Sequence, residues 1–131
     1  TLHAAVGRVA ATTDCIAPAG LVTASPGTIT AEPVQWEDSP GMTVTVRDGR
    51  ATLADGTLAG SIATPIDVLR NLVRLGLDLP AAADACGGVQ RRLMGLDDVR
   101  LRPGDVADVV VLDDRLDVVR TLVAGAEVHA A

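Results

Sequence analysis

The sequence contains no phenylalanine and no tyrosine, and its single aromatic residue is Trp36. Small aliphatic side chains must therefore form any core, and each of them removes less area from water than an aromatic ring would. Hydrophobic residues nevertheless make up 48% of the 131 residues, which excludes a disordered chain. The length suffices for one domain with its own core.

Residues that bind transition metals or form disulfides are also scarce. There are two cysteines, Cys15 and Cys86, and two histidines, His3 and His129, which stand near opposite ends of the chain. No HxH, HExxH or CxxC motif occurs, so the sequence predicts no metal site within the chain itself. Two cysteines do not make a disulfide framework, and a reducing cytoplasm is the expected compartment.

Positive charge is the third deficit. The net charge is −6 and the arginines, which are the only strongly basic residues, are not clustered, so the chain is expected to be a poor nucleic-acid binder. No apolar run is long enough to predict a membrane span, and no signal-peptide pattern is present. The sequence starts at Thr1 and soon enters a strand-like run, which we interpret as an interior segment of a longer protein.

The first third of the chain predicts one buried strand and long loops. Residues 7–13 read as a buried strand that ends in Thr-Thr-Asp, with Asp14 last. A loop rich in proline and glycine follows, with a short strand predicted at 28–30. Residues 32–41, which include two prolines and Trp36, are expected to form a polar loop.

The middle of the chain predicts a hairpin followed by helices. Residues 43–46 alternate in polarity and lead into Asp48-Gly49, a dipeptide typical of two-residue hairpin turns. A helix is predicted from Pro65, with Thr64 as its N-cap and Gly76 as its stop. A helix at 80–86 is expected to break at Gly87-Gly88, with a short one at 89–94.

The last third predicts strands. Residues 109–112 are four consecutive aliphatic residues, which favours a strand buried on both faces. Two further strand-like runs lie on either side of Ala124-Gly125. Asp108 at the start of this region is interpreted as a structural residue. The acidic pairs at 97–98 and 113–114 are interpreted as turn and surface residues.

Three motifs in this order resemble one enzyme family. They are the strand that ends in Thr-Thr-Asp at Asp14, "VTVRDGRATLADGTLAGS" at 44–61 with "NLV" at 71–73, and "GDVADVVVLDD" at 104–114. Together they resemble the C-terminal third of N-acetylglucosamine-6-phosphate deacetylases of the amidohydrolase superfamily. The second motif is the specific one. The chain departs from the family pattern at Gly87-Gly88-Val89-Gln90 and at Cys15, where the family commonly has alanine.

The resemblance implies an α/β fold that is part of a larger enzyme. Residues 1–96 would be the end of a (β/α)8 barrel, with its last strand, a hairpin insertion at 42–56 and the last helices. Residues 97–131 would be strands of a small β-sandwich domain. The family's divalent metal, zinc by default, would be held by residues upstream of this chain. A homodimer and a cytoplasmic location are implied as well.

The resemblance also implies site residues. Asp14 would be the general acid/base that takes a proton from the attacking water and passes it to the leaving amine. Leu58, Ala59 and Gly60 would lie near the acetamido group of an amino-sugar phosphate. The alternative for Asp14 is a turn-forming aspartate that accepts hydrogen bonds from nearby backbone N–H groups. The alternative for 58–60 is a plain connection from hairpin to helix.

The remaining candidate residues are assigned no chemistry. No partner base is visible for Cys15, so it is expected to be a small packing residue. Cys86 is expected in the core, whereas His3 and His129 are expected to be structural or exposed. Trp36 is expected either to cover a site or to lie in a subunit contact.

Two other functions stay open at this point. Another amidohydrolase that acts on a cyclic amide or a different N-acyl substrate would share the strand-end Asp14 and the strand at 109–112. The hairpin with "LAGS" favours the sugar deacetylase over it. A non-catalytic fragment or module is the second alternative, and by itself the chain is expected to be inactive.

Overall fold

The computed structural model of the chain describes residues 6–20, 34–39, 42–98 and 100–130. The predicted strand at 28–30 and His3 lie outside them. The described elements are strands and short helices, which in chain order are β1 Val34–Ser39, β2 Met42–Arg47, β3 Arg50–Thr52, β4 Leu58–Gly60, α1 Pro65–Arg74, α2 Leu79–Ala83, a π-helical turn Asp84–Gly88, α3 Val89–Leu93, β5 Val109–Leu112, β6 Val118–Val123 and β7 Ala126–Ala130.

The chain divides into two compact units. One unit is Ala11–Val68, and the other combines the segments before and after it. Each unit has its own antiparallel sheet, with strand order β1-β2-β3-β4 in the first and β5-β6-β7 in the second. The mixture of helices and strands agrees with the predicted α/β class. The predicted boundary between residues 96 and 97 refers to a larger fold and stays a prediction.

The hairpin formed by β2 and β3 confirms the sequence prediction. Asp48 and Gly49 both adopt positive φ angles, 51° and 73°, as the central residues of a type I′ turn do. This turn sets the antiparallel register that pairs Arg47 with Arg50 and Val46 with Ala51. The alternation of polar and apolar residues in β2 then places its valines on one face of the sheet.

That face forms the core of the first unit. Val44, Val46, Ala51 and Ile62 are almost inaccessible to water, and Ile16, Leu53 and Ala59 pack around them at partial burial. The core residues are small, as expected from a chain without phenylalanine or tyrosine. Ile16 connects the segment that follows Asp14 to this core.

The polar-loop prediction for residues 32–41 is wrong in its centre, because Val34–Ser39 forms β1. This strand pairs with β2, where Val34 lies opposite Val46 and Trp36 opposite Val44, and its register shifts between Glu37 and Ser39. Prolines at 33 and 40 suggested a loop. They flank an edge strand, where one row of N–H groups needs no partner, so proline beside it is tolerated.

The prediction of a buried strand at 7–13 is also wrong. The described part of the chain contains no strand at these residues, and a single parallel bridge joins Cys15 to Ser61. Burial still alternates, since Val9, Ala11 and Thr13 are half-buried whereas their neighbours are exposed. The sequence pattern therefore indicated an extended segment correctly. It did not supply the ladder of backbone hydrogen bonds that makes a strand.

Helix α1 begins and ends as predicted. The N–H and hydroxyl groups of Thr64 both donate to Asp67 Oδ2, at 2.9 and 2.7 Å. The Thr64 carbonyl accepts in return from the Asp67 N–H, so the two residues cap the helix reciprocally. At the other end Gly76 has a φ of 98°. The N–H of Leu77 donates to the Leu72 carbonyl at 3.1 Å, a Schellman-type termination.

The predicted break at Gly87-Gly88 does not occur. Helix α2 runs into the π-helical turn and then into α3, so both glycines have helical backbone conformations. The N-cap is Asp78, whose carboxylate accepts from the Ala81 N–H at 2.8 Å. The chain ends this helical stretch at Gly95, which has a φ of 69°.

The second sheet contains the three predicted terminal strands, but β5 is not buried on both faces. Val110 and Val111 are exposed by 56% and 38%, and β5 is an outer strand of this sheet. The turn at Ala124-Gly125 is held by the predicted structural aspartate, since Asp108 Oδ1 accepts from the Ala124 N–H at 2.7 Å. No helix in the described ranges has the length and hydropathy of a transmembrane segment.

Candidate functional site

Asp14 stands at the end of the extended segment and faces solvent. Its φ of 48° is in the left-handed region, which non-glycine residues seldom adopt and aspartate tolerates better than most. Residues held in such conformations cluster at functional sites because the surrounding structure must enforce them. The extended segment therefore ends at a residue in the left-handed conformation, and the Asp14 carboxylate is exposed there.

The Asp14 carboxylate, unlike those of five other aspartates, accepts no hydrogen bond from the described residues. Within the described ranges, neither a side chain nor a backbone N–H donates to it. Other aspartate carboxylates accept from backbone N–H groups at turns and caps, namely those of Asp55, Asp67, Asp78, Asp108 and Asp113. The alternative of a turn-forming aspartate predicts such a bond at Asp14, and the described residues provide none.

The structure brings Asp14 together with the end of β4. The N–H of Ser61 donates to the Asp14 carbonyl at 3.0 Å, and the N–H of Ile16 donates to the Ser61 carbonyl at 2.9 Å. These two bonds form the parallel bridge of Cys15 and Ser61. Two motifs that are distant in the sequence, Thr-Thr-Asp and "LAGS", thus meet at one place.

Gly60 makes this approach possible. Its φ is 137°, and a Cβ atom there would lie 2.6 Å from Ile16 Cγ2 and 3.4 Å from the Asp14 carbonyl oxygen. Any side chain at this position would collide with the segment that carries Asp14. The sequence analysis predicted that Gly60 allows a ligand to approach the backbone closely. In the described residues it is Ile16 and Asp14 that approach Gly60 instead.

The other two predicted substrate-binding residues belong to strand β4 as well. Leu58 is 69% exposed, and it pairs with Thr52 of β3. Ala59 is half-buried against the core of the first unit. Residues 58–60 form a strand of the sheet rather than a loop between hairpin and helix. Their role in substrate binding stays a prediction.

Cys15 is exposed, which contradicts its predicted role as a packing residue. Its backbone pairs with Ser61. Cys86 is half-buried, and burial raises the pKa of its thiol. His129 is exposed in β7, in agreement with one of its expected locations, and the side chain of Trp36 lies outside the description.

Ile16 and Ser61 are the residues of this site that the sequence did not identify. Ile16 has no polar group and Ser61 contributes through its backbone, since its hydroxyl oxygen accepts from the Ala63 N–H at 2.9 Å. The sequence signal that could have identified them is that each lies within two residues of a predicted site residue, Asp14 or Gly60. A pattern of residue types cannot reveal a contact made by backbone atoms.

The described residues do not form a metal centre. No group of three His, Cys, Asp or Glu side chains in the described ranges could hold a metal ion. Asp14 provides one carboxylate, whereas a catalytic zinc site takes three protein ligands. The residues described in this chain thus do not fit the metal of the deacetylase family on their own.

A second group of charged residues lies beside the π-helical turn. Arg92 donates from Nη1 to Asp84 Oδ1 at 2.8 Å and from Nη2 to Asp84 Oδ2 at 2.7 Å. These hydrogen bonds hold the pKa of the Asp84 carboxyl below its usual range and raise the pKa of Arg92. Asp98 lies 3.5 Å from Arg92 and 3.7 Å from Arg100. Because each described charge here has an opposite partner, the group is a structural ion-pair network.

Comparison with known proteins points to one kind of enzyme. The chain matches no protein-family model and no curated protein, but it is similar to solved structures of N-acetylglucosamine-6-phosphate deacetylases. Against the Thermotoga maritima enzyme the identity is 29% and the TM-score 0.77, over 96% of this chain and 32% of that one. Against the Pasteurella multocida enzyme the values are 25% and 0.72, over 95% and 31%.

A third similar structure is an aspartate-to-alanine variant of the Mycobacterium smegmatis enzyme in complex with N-acetyl-D-glucosamine-6-phosphate. The identity is 28% and the TM-score 0.73, over 92% of this chain and 30% of that one. The chain therefore spans about a third of the length of these enzymes. It is structurally related to part of a hydrolytic deacetylase along nearly all of its own length.

Proposed function

We propose that this chain is the C-terminal part of an N-acetylglucosamine-6-phosphate deacetylase. The enzyme would convert the N-acetylated sugar phosphate to glucosamine 6-phosphate and acetate. In this proposal residues up to 96 complete a (β/α)8 barrel, and residues 97–131 contribute strands to a β-sandwich. The cytoplasmic location, the role in amino-sugar metabolism and a homodimer are parts of the same proposal.

One observation carries the proposal. The similarity to deacetylases covers 96% of the chain at a TM-score of 0.77, and within it the Asp14 segment and the end of β4 are joined by two backbone hydrogen bonds. A single motif can arise by chance, but the contact joins two of the three motifs on which the resemblance rests. A catalytic carboxylate at the tip of an extended segment is the arrangement expected at the carboxyl end of a barrel strand.

The proposed chemistry of Asp14 is proton transfer. The carboxylate accepts a proton from the water whose oxygen attacks the acetamide carbonyl carbon, and the C–N bond breaks as the same proton passes to the sugar nitrogen. Acetic acid and the amine are the products, and the second proton of the water then passes from the acid to the amine, which gives acetate and the ammonium form, so atoms and charge balance. An exposed carboxylate with no described hydrogen-bond donor suits this task, because it loses no structural bond when it becomes protonated.

The metal of the family enters this proposal only through residues outside the described part of the chain. No described group of three ligand residues is present, and we infer that the ligands, with zinc as the expected ion, come from the upstream portion of the enzyme. The residues of this chain would then contribute Asp14 to the reaction. Leu58, Ala59 and Gly60 would lie beside the acetamido group.

Deacetylation of N-acetylglucosamine 6-phosphate by the full-length product of the gene that encodes this chain tests the proposal. Asp14→Asn should lower kcat by about 10²–10⁴-fold, the range for loss of a general acid/base, with metal content unchanged. Asp48→Asn is the matched control, since Asp48 is also exposed and has a φ of 51°. Asparagine tolerates both backbone conformations. Equal turnover of the Asp14 variant and the control would refute the assigned role.

The alternatives give different outcomes in the same assay. Hydrolysis of a cyclic amide such as hydantoin, without hydrolysis of the sugar phosphate, would assign the protein to another branch of the amidohydrolases. Absence of turnover on both substrates in a metal-loaded sample would assign a non-catalytic module. Unphosphorylated N-acetylglucosamine, tested in parallel, measures how much the phosphate contributes to kcat/KM.

A further inference from the structure

The backbone of Asp14 needs an external restraint. Its φ of 48° is in a region that is unfavourable for residues with a Cβ atom, and it persists only where neighbouring structure enforces it. Within the described ranges the carboxylate makes no hydrogen bond that could do so. The restraint must therefore act on the backbone of the segment.

The described backbone contacts identify that restraint. The Asp14 carbonyl accepts from Ser61, and the Ser61 carbonyl accepts from Ile16, so one residue of the second segment bonds on both sides of Cys15. Ser61 itself is anchored, because Gly60 pairs with Ala51 of β3 and Ile62 lies in the core. The four-stranded sheet thus fixes the position at which Asp14 turns.

The two segments can meet only because residue 60 is a glycine and has no side chain. A Cβ atom there would lie 2.6 Å from Ile16 Cγ2, which is closer than real Cβ contacts. The φ of 137° is also one that L residues rarely adopt. A substitution would therefore push Ile16 outwards and move Asp14 with it, since the two residues are separated only by Cys15.

We propose that Gly60 and Ser61 are positioning residues for Asp14, which they restrain in its left-handed conformation. The proposal deepens the deacetylase assignment and rests on it for the catalytic consequence. It differs from the predicted role of Gly60 as a substrate neighbour. A neighbour of the substrate affects binding, whereas a positioning residue affects the proton-transfer step and leaves binding intact.

The first test separates these roles by kinetics. Gly60→Ala in the full-length gene product should lower kcat for N-acetylglucosamine 6-phosphate by about 100-fold, the effect of a misplacement near 1 Å, with KM and metal content unchanged. Gly49→Ala is the matched control, because Gly49 also has a positive φ, 73°, and a Cβ there meets nothing within 4 Å. A raised KM with unchanged kcat would overturn the proposal in favour of substrate contact.

A second variant tests the steric cause. Ile16→Ala removes Cγ2, the atom nearest to a Cβ at residue 60. The double variant Ile16→Ala/Gly60→Ala should regain at least about tenfold in kcat over Gly60→Ala, since coupled residues behave non-additively. Strictly additive losses would overturn the mechanism. Recovery stays incomplete because alanine remains strained at this φ.

The third test needs no activity and is made on the full-length gene product. The N–H groups of Ile16 and Ser61 are hydrogen-bonded in the bridge, so their hydrogen exchange should be protected in the unmodified chain. Gly60→Ala should lower protection at these two amides by at least about tenfold, as expected when a local opening becomes favourable. The control Gly49→Ala should leave protection unchanged. Free exchange at both amides in the unmodified chain would overturn the proposal.

The tests distinguish failure of the inference from failure of the assigned function. If the full-length product does not deacetylate the sugar phosphate, the function is wrong, and the exchange measurement still decides whether Gly60 and Ser61 restrain Asp14. If the product is active and Asp14→Asn is inactive while Gly60→Ala keeps full kcat, the function stands. The positioning role is then wrong.

Discussion

At the scale of residues, identical side chains have different tasks in this chain. Asp78 caps a helix, and Asp108 holds a turn. Asp14 makes neither kind of bond within the described ranges. The sequence motif distinguished Asp14 from the other aspartates as the candidate acid/base. The conformation of Asp14 and its contact with Ser61 could not be predicted, because they depend on backbone geometry between segments that are distant in the sequence.

Val46 provides a residue-scale prediction for stability. It is 2% exposed in the core of the first unit, so Val46→Ala removes two buried methyl groups. The expected loss is about 2 kcal/mol of unfolding free energy, with a cavity contribution included. Urea denaturation measures it. Thr43→Ala on the same strand is the control, because Thr43 is exposed, and equal losses for both variants would contradict the assigned core.

Cys86 provides a prediction on pH dependence. Burial raises the pKa of its thiol, so the folded state keeps a proton that the unfolded state releases above about pH 8.5. The stabilising contribution is therefore complete below that pH and is lost as pH rises through the folded pKa. Unfolding free energies measured from pH 7 to 10 should fall more steeply for the unmodified chain than for Cys86→Ala. Parallel curves would contradict this.

At the scale of elements, local signals predicted some structures and misled on others. The β2–β3 hairpin and helix α1 follow from residues within each element, such as Asp48-Gly49 and the Thr64 cap. Strand β1 was missed because its edge position, which tolerates flanking prolines, is a property of the whole sheet. The helix break at Gly87-Gly88 was predicted from intrinsic propensity, and tertiary context overrides propensity here.

The ion pair across the π-helical turn explains why a glycine occupies position 88. A Cβ on Gly88 would overlap with Asp84 Oδ1 and lie 3.1 Å from Arg92 Nη1, whereas a Cβ on Gly87 would meet nothing within 4 Å. Position 88 must therefore lack a side chain for Arg92 to pair with Asp84 along the helical stretch. Position 87 has no such requirement.

The two glycines give a paired prediction for this element. Gly87→Ala should raise the unfolding free energy by up to about 1 kcal/mol, the usual difference in helix propensity. Gly88→Ala should raise it by less, because the displaced Asp84 carboxylate loses its bonds to Arg92. The difference should vanish in an Asp84→Ala background. Thermal or urea unfolding of the variants measures it, and a difference that persists without Asp84 would refute the explanation.

At the scale of the whole molecule, the sequence indicated the class of fold and the family of the relatives. Mixed helices and strands are present, and the chain is similar to solved structures of N-acetylglucosamine-6-phosphate deacetylases. A barrel is defined by the pairing of many strands, whereas residues 7–13 form no strand within the described chain and the bridge after them joins Cys15 to Ser61. Their half-buried alternation indicates an extended segment, and its assignment to a barrel therefore rests on the resemblance.

The metal requirement gives the prediction for the whole molecule. The described ranges hold no group of three metal-ligand residues, whereas a hydrolytic zinc site takes three protein ligands and an open position. If those ligands lie upstream, the full-length gene product should retain stoichiometric zinc after dialysis, and the 131-residue chain should not.

Elemental analysis of both samples measures this, and it includes Asp14→Asn as a third sample. Loss of the Asp14 carboxylate should leave the zinc content of the full-length product unchanged, because the proposal assigns Asp14 to proton transfer and not to metal binding. Loss of zinc in that variant would make Asp14 a ligand. Stoichiometric zinc in the 131-residue chain would contradict the upstream location of the ligands, and with it the division of catalytic tasks between this chain and the rest of the enzyme.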